Sequence, residues 1–331
     1  MADLTKPDTI GDVSRVLLTG AAGFIGRNLA LALESRGLDV VGVDDLSVTP
    51  LETYCGRQLL VKDVCKLSNT DIVGVDTIIH LASAKSVPLS FSAPRYYSTN
   101  VSMTAHLLGI AADAGVERIL IGSTCEVYGD QGTGRLHEGT PFAPRSPYAA
   151  SKAAMEMVAN IYQLAHRNFS GCVTVARLFN VYGPGERTDA LIPSLCQSAL
   201  RYQRLPIEGD GNQRRDLTYI DDAVKQLLHV LFEHDSRVVN LGTGGTTSVL
   251  DVARLVADEV AGTSTEFLPA RPNEIPSFCS NRGPLAGDDT FGKEMITIQD
   301  GIRRTLLWWR QKLVADPQFG EADQMFKTRM R

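Results

Sequence analysis

The stretch from Arg15 to Asp45 restricts the fold more than any other part of the chain. Arg15-Val16-Leu17-Leu18-Thr19 is a short apolar run, as expected of a buried parallel strand. Gly20-Ala21-Ala22-Gly23-Phe24-Ile25-Gly26 follows, and then a helical pattern from Asn28 to Ser35. A second strand, Asp39 to Val43, ends in Asp44-Asp45. In a strand–turn–helix–strand unit, Gly20, Gly23 and Gly26 permit the tight turn. They also let a pyrophosphate approach the helix N-terminus, beside Phe24 and Ile25. A carboxylate at Asp44 or Asp45 accepts hydrogen bonds from the ribose hydroxyls of NAD and repels the extra phosphate of NADP. The plainer reading is a turn that holds no ligand.

The alternation continues. Strand-like runs at Gln58–Val61, Thr77–Leu81, Arg118–Gly122 and Cys172–Leu178 are separated by helical patterns that include Val101–Ala114 and Pro147–Arg167. This pattern implies an α/β protein, a Rossmann-type doubly wound parallel sheet with a smaller C-terminal substrate-binding α/β domain. The first domain is expected over 15–180, with returns to its sheet near 216–224 and 238–245. The second is expected over 181–314, interleaved with it, with loose termini at 1–14 and 315–331. Ligands of such sheets bind outside the carboxyl ends of the strands. Thr124, Cys125 and Glu126 follow one strand and Asn180 follows another, so they converge on that edge.

Tyr148 and Lys152 lie four residues apart, on one face of the expected helix. A nearby ammonium lowers a phenol's pKa, which would let Tyr148 take a proton from an alcohol while a cofactor takes its hydride. Thr124 is placed to hold the same hydroxyl. Cys125 and Glu126 would add a second acid–base pair. An ordinary thiol, with a pKa near ~8.5, is largely protonated at neutral pH and can donate a proton. The competing reading makes Cys125 a small apolar filler and Glu126 a structural carboxylate.

Bulk properties narrow the class. The 331 residues suffice for one large or two intimate domains, and 44% apolar with 21% charged residues is the balance of a soluble globular enzyme. The net charge of -5 gives no electrostatic case for nucleic acid, and no apolar run or leader suggests a membrane or secretion. Six scattered cysteines without a CxxC pair suit reduced thiols in a cytoplasm and argue against structural zinc. His80, His106, His137 and His166 show no metal spacing, and core or surface roles are expected.

These motifs, in this order, resemble the extended short-chain dehydrogenase/reductase family, in its NAD-dependent epimerase/dehydratase branch acting on nucleotide sugars. The resemblance runs from Gly20 to about Trp309. It implies that Asp63-Val64 contacts the adenine, that Leu81, Ala82, Lys85 and Asn100 line the cofactor, and that Lys85, Ser86 and Val87 face the sugar. It implies a substrate site drawing on Asn180, Arg187, Leu191, Pro206, Ile207, Arg215, Arg271 and Glu274. Arg187, Arg215 and Arg271 suit a diphosphate because the planar guanidinium binds phosphate oxygens in pairs. The plainer reading leaves each on a solvated surface. The base is expected near Leu205–Gly209, read largely through backbone groups. The family also implies a homodimer through Val101–Ala114 and Pro147–Arg167. Within the branch, Cys125-Glu126 with Arg271-Pro272-Asn273-Glu274-Ile275 most resembles the UDP-N-acetylglucosamine 5,6-dehydratases of tunicamycin biosynthesis. The alternatives are a 4-epimerase, then a decarboxylase or 4,6-dehydratase. A non-catalytic NAD-binding regulator is the reading from another class.

Overall fold

A computed structural model describes residues 13–48, 54, 56, 58–165, 172–233, 237–271, 273–282, 285, 295–316 and 319. Cys55, His166, the expected helix end at Arg167 and most of the expected loose termini fall outside them. Along the chain run β1 (Arg15–Thr19), α1 (Phe24–Glu34), β2 (Asp39–Asp44), β3 (Gln58–Val61), β4 (Thr77–His80), α2 (Val87–Ser92), α3 (Pro94–Tyr97), α4 (Thr99–Ala114), β5 (Arg118–Thr124), α5 (Pro147–Ala165) and β6 (Cys172–Leu178). Then come β7 (Asn180–Tyr182), α6 (Leu191–Tyr202), β8 (Arg204–Glu208), β9 (Arg214–Arg215), β10 (Leu217–Tyr219), α7 (Ile220–Glu233), β11 (Val238–Leu241), β12 (Thr247–Ser248), α8 (Val249–Glu259), β13 (Ser264–Leu268), β14 (Ser277–Phe278) and α9 (Ile298–Ala315).

Seven strands form the main sheet in the order β11-β6-β5-β4-β1-β2-β3. The pairs from β6 to β3 are parallel and in direct register, Leu17 facing Val41 on one side and Ile78 on the other. The expected α/β class with a doubly wound parallel sheet is what the structure shows. Two-sided burial explains the uninterrupted apolar runs of β1, β4 and β5. Their side chains join Met103, Leu107 and Leu108 of α4 and Met155 and Ala159 of α5 in one core cluster. Each fully buried Leu or Ile there contributes about 1.5–3 kcal/mol.

The chain divides into two compact units, the first comprising 1–129, 138–178 and 224–239, the second 130–137, 179–223 and 240–331. In the second, small sheets β10-β7, β12-β9-β14 and β13-β8 accompany α6, α8 and α9. One sequence expectation is corrected here. The segment near 216–224 does not return to the main sheet, because β10 pairs with β7 in parallel, Leu217 facing Asn180. The three-residue run Leu217–Tyr219 reads as a strand, but nothing local specifies its partner. Phe319, within the expected loose tail, packs edge-on against Trp308 and Trp309, each ring centroid 5.7 Å away.

Candidate functional site

The glycine-rich turn is built for close approach. Gly20 has φ +70°, and a Cβ there would meet Ala82 N at 2.6 Å. A Cβ on Gly26 would collide with the Gly20 carbonyl, so α1 sits directly on the turn. Gly23 is the N-cap of α1 and no side chain caps that terminus, while Phe24 and Ile25 form its first turn. Donors of such a terminus suit phosphate oxygens. Asp44 ends β2 beside the turn and accepts from Ala22 N at 3.0 Å and Leu46 N at 2.9 Å. Burial pushes its carboxyl upward, opposed by these backbone N–H groups. A carboxylate has about four acceptor sites, so Asp44 keeps capacity for ribose hydroxyls. Asp45 is exposed and bonds Ser47. Asp63 caps a short 3-10 turn through Cys65 N at 2.9 Å, with Val64 buried beside it.

The loop after β4 is sewn to β1. Leu81 N donates to Thr19 O and Ala82 N to Thr19 Oγ1. His80 is buried between Thr19 and Thr104, and burial, with the Lys152 charge adding, lowers it to about 3. It is a neutral core histidine. Asn100 clamps the same loop: its Oδ1 accepts from Ala84 N at 2.7 Å, and its Nδ2 donates to Ala84 O and Ser151 Oγ. The Asn100 side chain thus ties this loop to α5. Lys85 is exposed, Ser86 N-caps α2, and Val87 opens it.

Thr124, Cys125 and Glu126 occupy the carboxyl end of β5. Thr124 N-caps the 3-10 turn Cys125–Tyr128, its Oγ1 accepting from Glu126 N at 3.3 Å. Ser146 caps the start of α5 by accepting from Ala149 N, and Pro147 fits a first helical turn. That start delivers Tyr148, 8% exposed, to the turn. Burial raises the Tyr148 phenol well above the ordinary tyrosine range. The Glu126 carboxylate raises it further, a hydrogen bond with the Thr124 side chain opposes, and Cys125 and Tyr97 add smaller upward effects. The structure thus brings Thr124, Cys125, Glu126 and Tyr148 together.

Lys152 also reaches this edge, but not as expected. Its Nζ donates to Gly122 O at 2.9 Å, and burial lowers it to about 8, with Glu156 opposing and Lys85 adding. The expectation that a nearby ammonium lowers the phenol is therefore corrected. Desolvation and the Glu126 charge dominate Tyr148, because the pocket that buries the ring also excludes the water that would solvate a phenolate.

Sequence reading missed the group behind the turn. Ser123 Oγ donates to Glu156 Oε1, and Arg177 bonds the same carboxylate, Tyr128 OH and Glu138 O. Arg177 and Glu156 have side chains only 5% and 4% exposed. The available signal was a lone cation inside the apolar strand Cys172–Leu178, which demands a buried partner.

In the second unit, each arginine named from sequence has a carboxylate partner. Arg187 forms a two-point pair with Asp189, Arg215 bonds Glu274 and the carbonyls of Arg214 and Ile275, and Arg271 pairs with Glu208. Asn180 Oδ1 is buried without a hydrogen bond, an acceptor that a ligand donor would satisfy. Leu191 opens α6 and Pro206 is half-buried in β8. Ile207 is fully buried, so as a substrate residue it has only its backbone to offer, since the alternation of β8 turns its side chain into the core.

The model of the NAD dependent epimerase/dehydratase family matches residues 16–242. The chain belongs to that family. Among solved structures it is similar to the NAD-dependent NDP-hexosamine 5,6-dehydratase TunA, involved in tunicamycin biosynthesis, at 44% identity and TM-score 0.84, over 89% of this chain and 97% of that one. It is also similar to MoeE5 in complex with UDP-glucose and NAD, at 33% identity and TM-score 0.81, over 91% and 100%. Among curated relatives, the "Uncharacterized UDP-glucose epimerase YtcB" of Bacillus subtilis (strain 168) is 32% identical over 265 residues, 74% of this chain and 81% of that protein. The cofactor of the family is NAD, and the turn around Gly20 and Gly26 with Asp44 beside it fits that group. The protein is thus an NAD-dependent nucleotide-sugar enzyme. Among the described residues no helix is long and apolar enough to cross a membrane, and no cluster of His, Cys, Asp and Glu is arranged to hold a metal.

Proposed function

We propose that this protein is a nucleotide-sugar 5,6-dehydratase acting on UDP-N-acetylglucosamine. The observation that carries the reading is the short turn after β5, which sets a thiol and a carboxylate, Cys125 and Glu126, beside the buried phenol of Tyr148. Oxidation and return at C4 need only Thr124, Tyr148 and Lys152. A second acid–base pair has work only if a second bond is broken.

Thr124 and Tyr148 hold the sugar 4-hydroxyl, and Tyr148 takes its proton. The Thr124 hydrogen bond favours the phenolate against burial and the Glu126 charge, and Lys152, one helical turn away, serves the cofactor. When bound, NAD would supply the hydride acceptor and donor at C4, so the cofactor is not consumed over a cycle. The 4-ketone acidifies the C5 proton, which Glu126 removes. The C5–C6 double bond forms as the C6 oxygen departs, and Cys125 protonates that oxygen so that water leaves. Reduction at C4 restores the hydroxyl with the proton from Tyr148, and the Glu126 proton makes good the one lost by Cys125. The sugar loses one water and gains one double bond.

In the first unit, Gly20, Gly23, Phe24, Ile25, Gly26, Asp44, Asp63 and Val64 hold NAD, and Lys85, Ser86 and Val87 serve the sugar. In the second, Asn180, Arg187, Arg215 and Arg271 hold the diphosphate, with Leu191, Pro206 and the Ile207 backbone at the base. Homodimerisation through α4 and α5 completes the proposal. Incubation with UDP- and dTDP-sugars, followed by mass spectrometry and proton NMR, tests it. Loss of water with vinylic signals is expected. An unchanged mass would mean an epimerase, loss of carbon dioxide a decarboxylase, and a C6 methyl beside a 4-ketone a 4,6-dehydratase.

A further inference from the structure

Ser86 has φ 151° and ψ 114°, a conformation that glycine reaches freely and a residue with a Cβ does not. Something must hold it there. Its own hydroxyl caps α2 only loosely, accepting from Leu89 N at 3.4 Å. Its carbonyl accepts from Ser90 N at 3.1 Å within α2, and the firm side-chain contact is with Tyr97, whose hydroxyl donates to the same carbonyl at 2.8 Å. Tyr97 is 1% exposed and belongs to a small cluster with Ala84 and Tyr148, against which Val87 and Leu89 pack. Its ring lies edge-on to Tyr148, centroids 6.1 Å apart at 74°. One buried side chain therefore touches both the strained residue between Lys85 and Val87 and the phenol of Tyr148.

We propose that Tyr97 is a positioning residue: its hydroxyl holds Ser86 in the strained backbone, and its ring fixes that segment relative to Tyr148. The alignment of the sugar-facing segment Lys85–Val87 against Tyr148 is then set by this link. A strained conformation persists only where its surroundings over-determine it, and the Tyr97 hydroxyl is the side-chain group that does so, alongside Ser90 N–H, which donates to the same carbonyl at 3.1 Å. The inference rests on the reading of Tyr148 as the C4 acid–base residue, but not on which product leaves the enzyme.

A double-mutant cycle with Tyr97→Phe and Ser86→Gly tests it, measuring kcat and KM for whichever product the wild type makes, with the thermal midpoint of each protein. Tyr97→Phe keeps the ring and removes the hydroxyl. With Ser86 present, kcat/KM is expected to fall about tenfold, chiefly in kcat, because the backbone relaxes out of its productive shape. In the Ser86→Gly background the same Tyr97→Phe change is expected to cost no more than about twofold, since glycine enters the conformation without strain and leaves the clamp little to oppose. An equal loss in both backgrounds would overturn the proposal and make the hydroxyl a general packing contact. No loss in either would overturn it as well. Failure of the dehydratase reading would appear separately, in the product of the wild-type protein.

Discussion

Arg177 lies along the Glu156 carboxylate so that Nε donates to Oε1 and Oε2 at 3.1 and 3.0 Å and Nη2 donates to Oε2 at 2.7 Å. Ser123, immediately before Thr124, shares that carboxylate, and Tyr128, at the end of the Cys125–Glu126 turn, accepts from Arg177. The pair therefore grips both ends of the turn. Removing one partner strands a buried charge, so Glu156→Ala should destabilise the protein by about 3 kcal/mol. Glu156→Met combined with Arg177→Met should recover a large part. Urea unfolding, read as a midpoint shift at constant slope, checks both.

Lys152 gives a pH dependence of defined sign. Burial holds it at about 8 in the folded protein, below the ordinary lysine value near ~10.4. Between those values the unfolded chain binds more protons, so the lysine's contribution to stability rises with pH. Its full penalty is present below pH 8 and is relieved as pH climbs toward 10. The difference in stability between wild type and Lys152→Met should therefore shift in favour of the wild type across that window. Turnover should fall above about pH 8, as the ammonium is lost. Chemical denaturation and kcat profiles from pH 7 to 10 check the two parts.

Much of this site was legible before the structure, and the reason is local chemistry. Gly20, Gly23 and Gly26 between two apolar runs specify a turn, and Tyr148 and Lys152 at helical spacing share a face. Both patterns lie within a few residues of chain. The Asn100 clamp and the Arg177–Glu156 pair were missed because their partners are remote in sequence. Asn100 meets Ala84 and Ser151, and Arg177 meets Glu156. The pairing of Arg215 with Glu274 is likewise a contact across 59 positions that no local pattern encodes. Tyr148 shows a second limit. Spacing placed an ammonium near it, but only the fold reveals that burial and Glu126 outweigh that cation.

Asp44 should determine cofactor choice. Its carboxylate stands at the end of β2 against the glycine-rich turn, where an additional ribose phosphate would be repelled. Denaturing the purified protein should release NAD, with little NADP. Asp44→Ser should weaken NAD binding about tenfold and narrow the preference over NADP. Titration of the refolded, nucleotide-free protein by fluorescence measures both. Unchanged discrimination would remove Asp44 from this role.

The outer face of α5 bears on assembly. Met157, Ile161 and Leu164 are 55%, 61% and 63% exposed and follow helical spacing, an apolar stripe that water would otherwise cover. The wild type should be a dimer by light scattering at micromolar concentration. Ile161→Asp should give a monomer with its circular dichroism unchanged, because the side chain lies outside the core.

The division of labour within the turn is the sharpest test of the proposed chemistry. Tyr148→Phe should abolish the first oxidation and lower turnover at least a hundredfold, because Tyr148 is the group that takes the 4-hydroxyl proton. Cys125→Ala and Glu126→Gln leave Thr124, Tyr148 and Lys152 in place, so C4 oxidation should survive in both. They should then separate. Glu126→Gln removes the base at C5, and the substrate should take up no deuterium there from heavy water. Cys125→Ala keeps that base but lacks the acid for the C6 oxygen. Deuterium should therefore enter C5 while water loss falls by about 10²-fold or more. Mass spectrometry in heavy water distinguishes the two. If both variants dehydrate the sugar at the wild-type rate, Cys125 is packing, Glu126 is structural, and other groups carry the elimination.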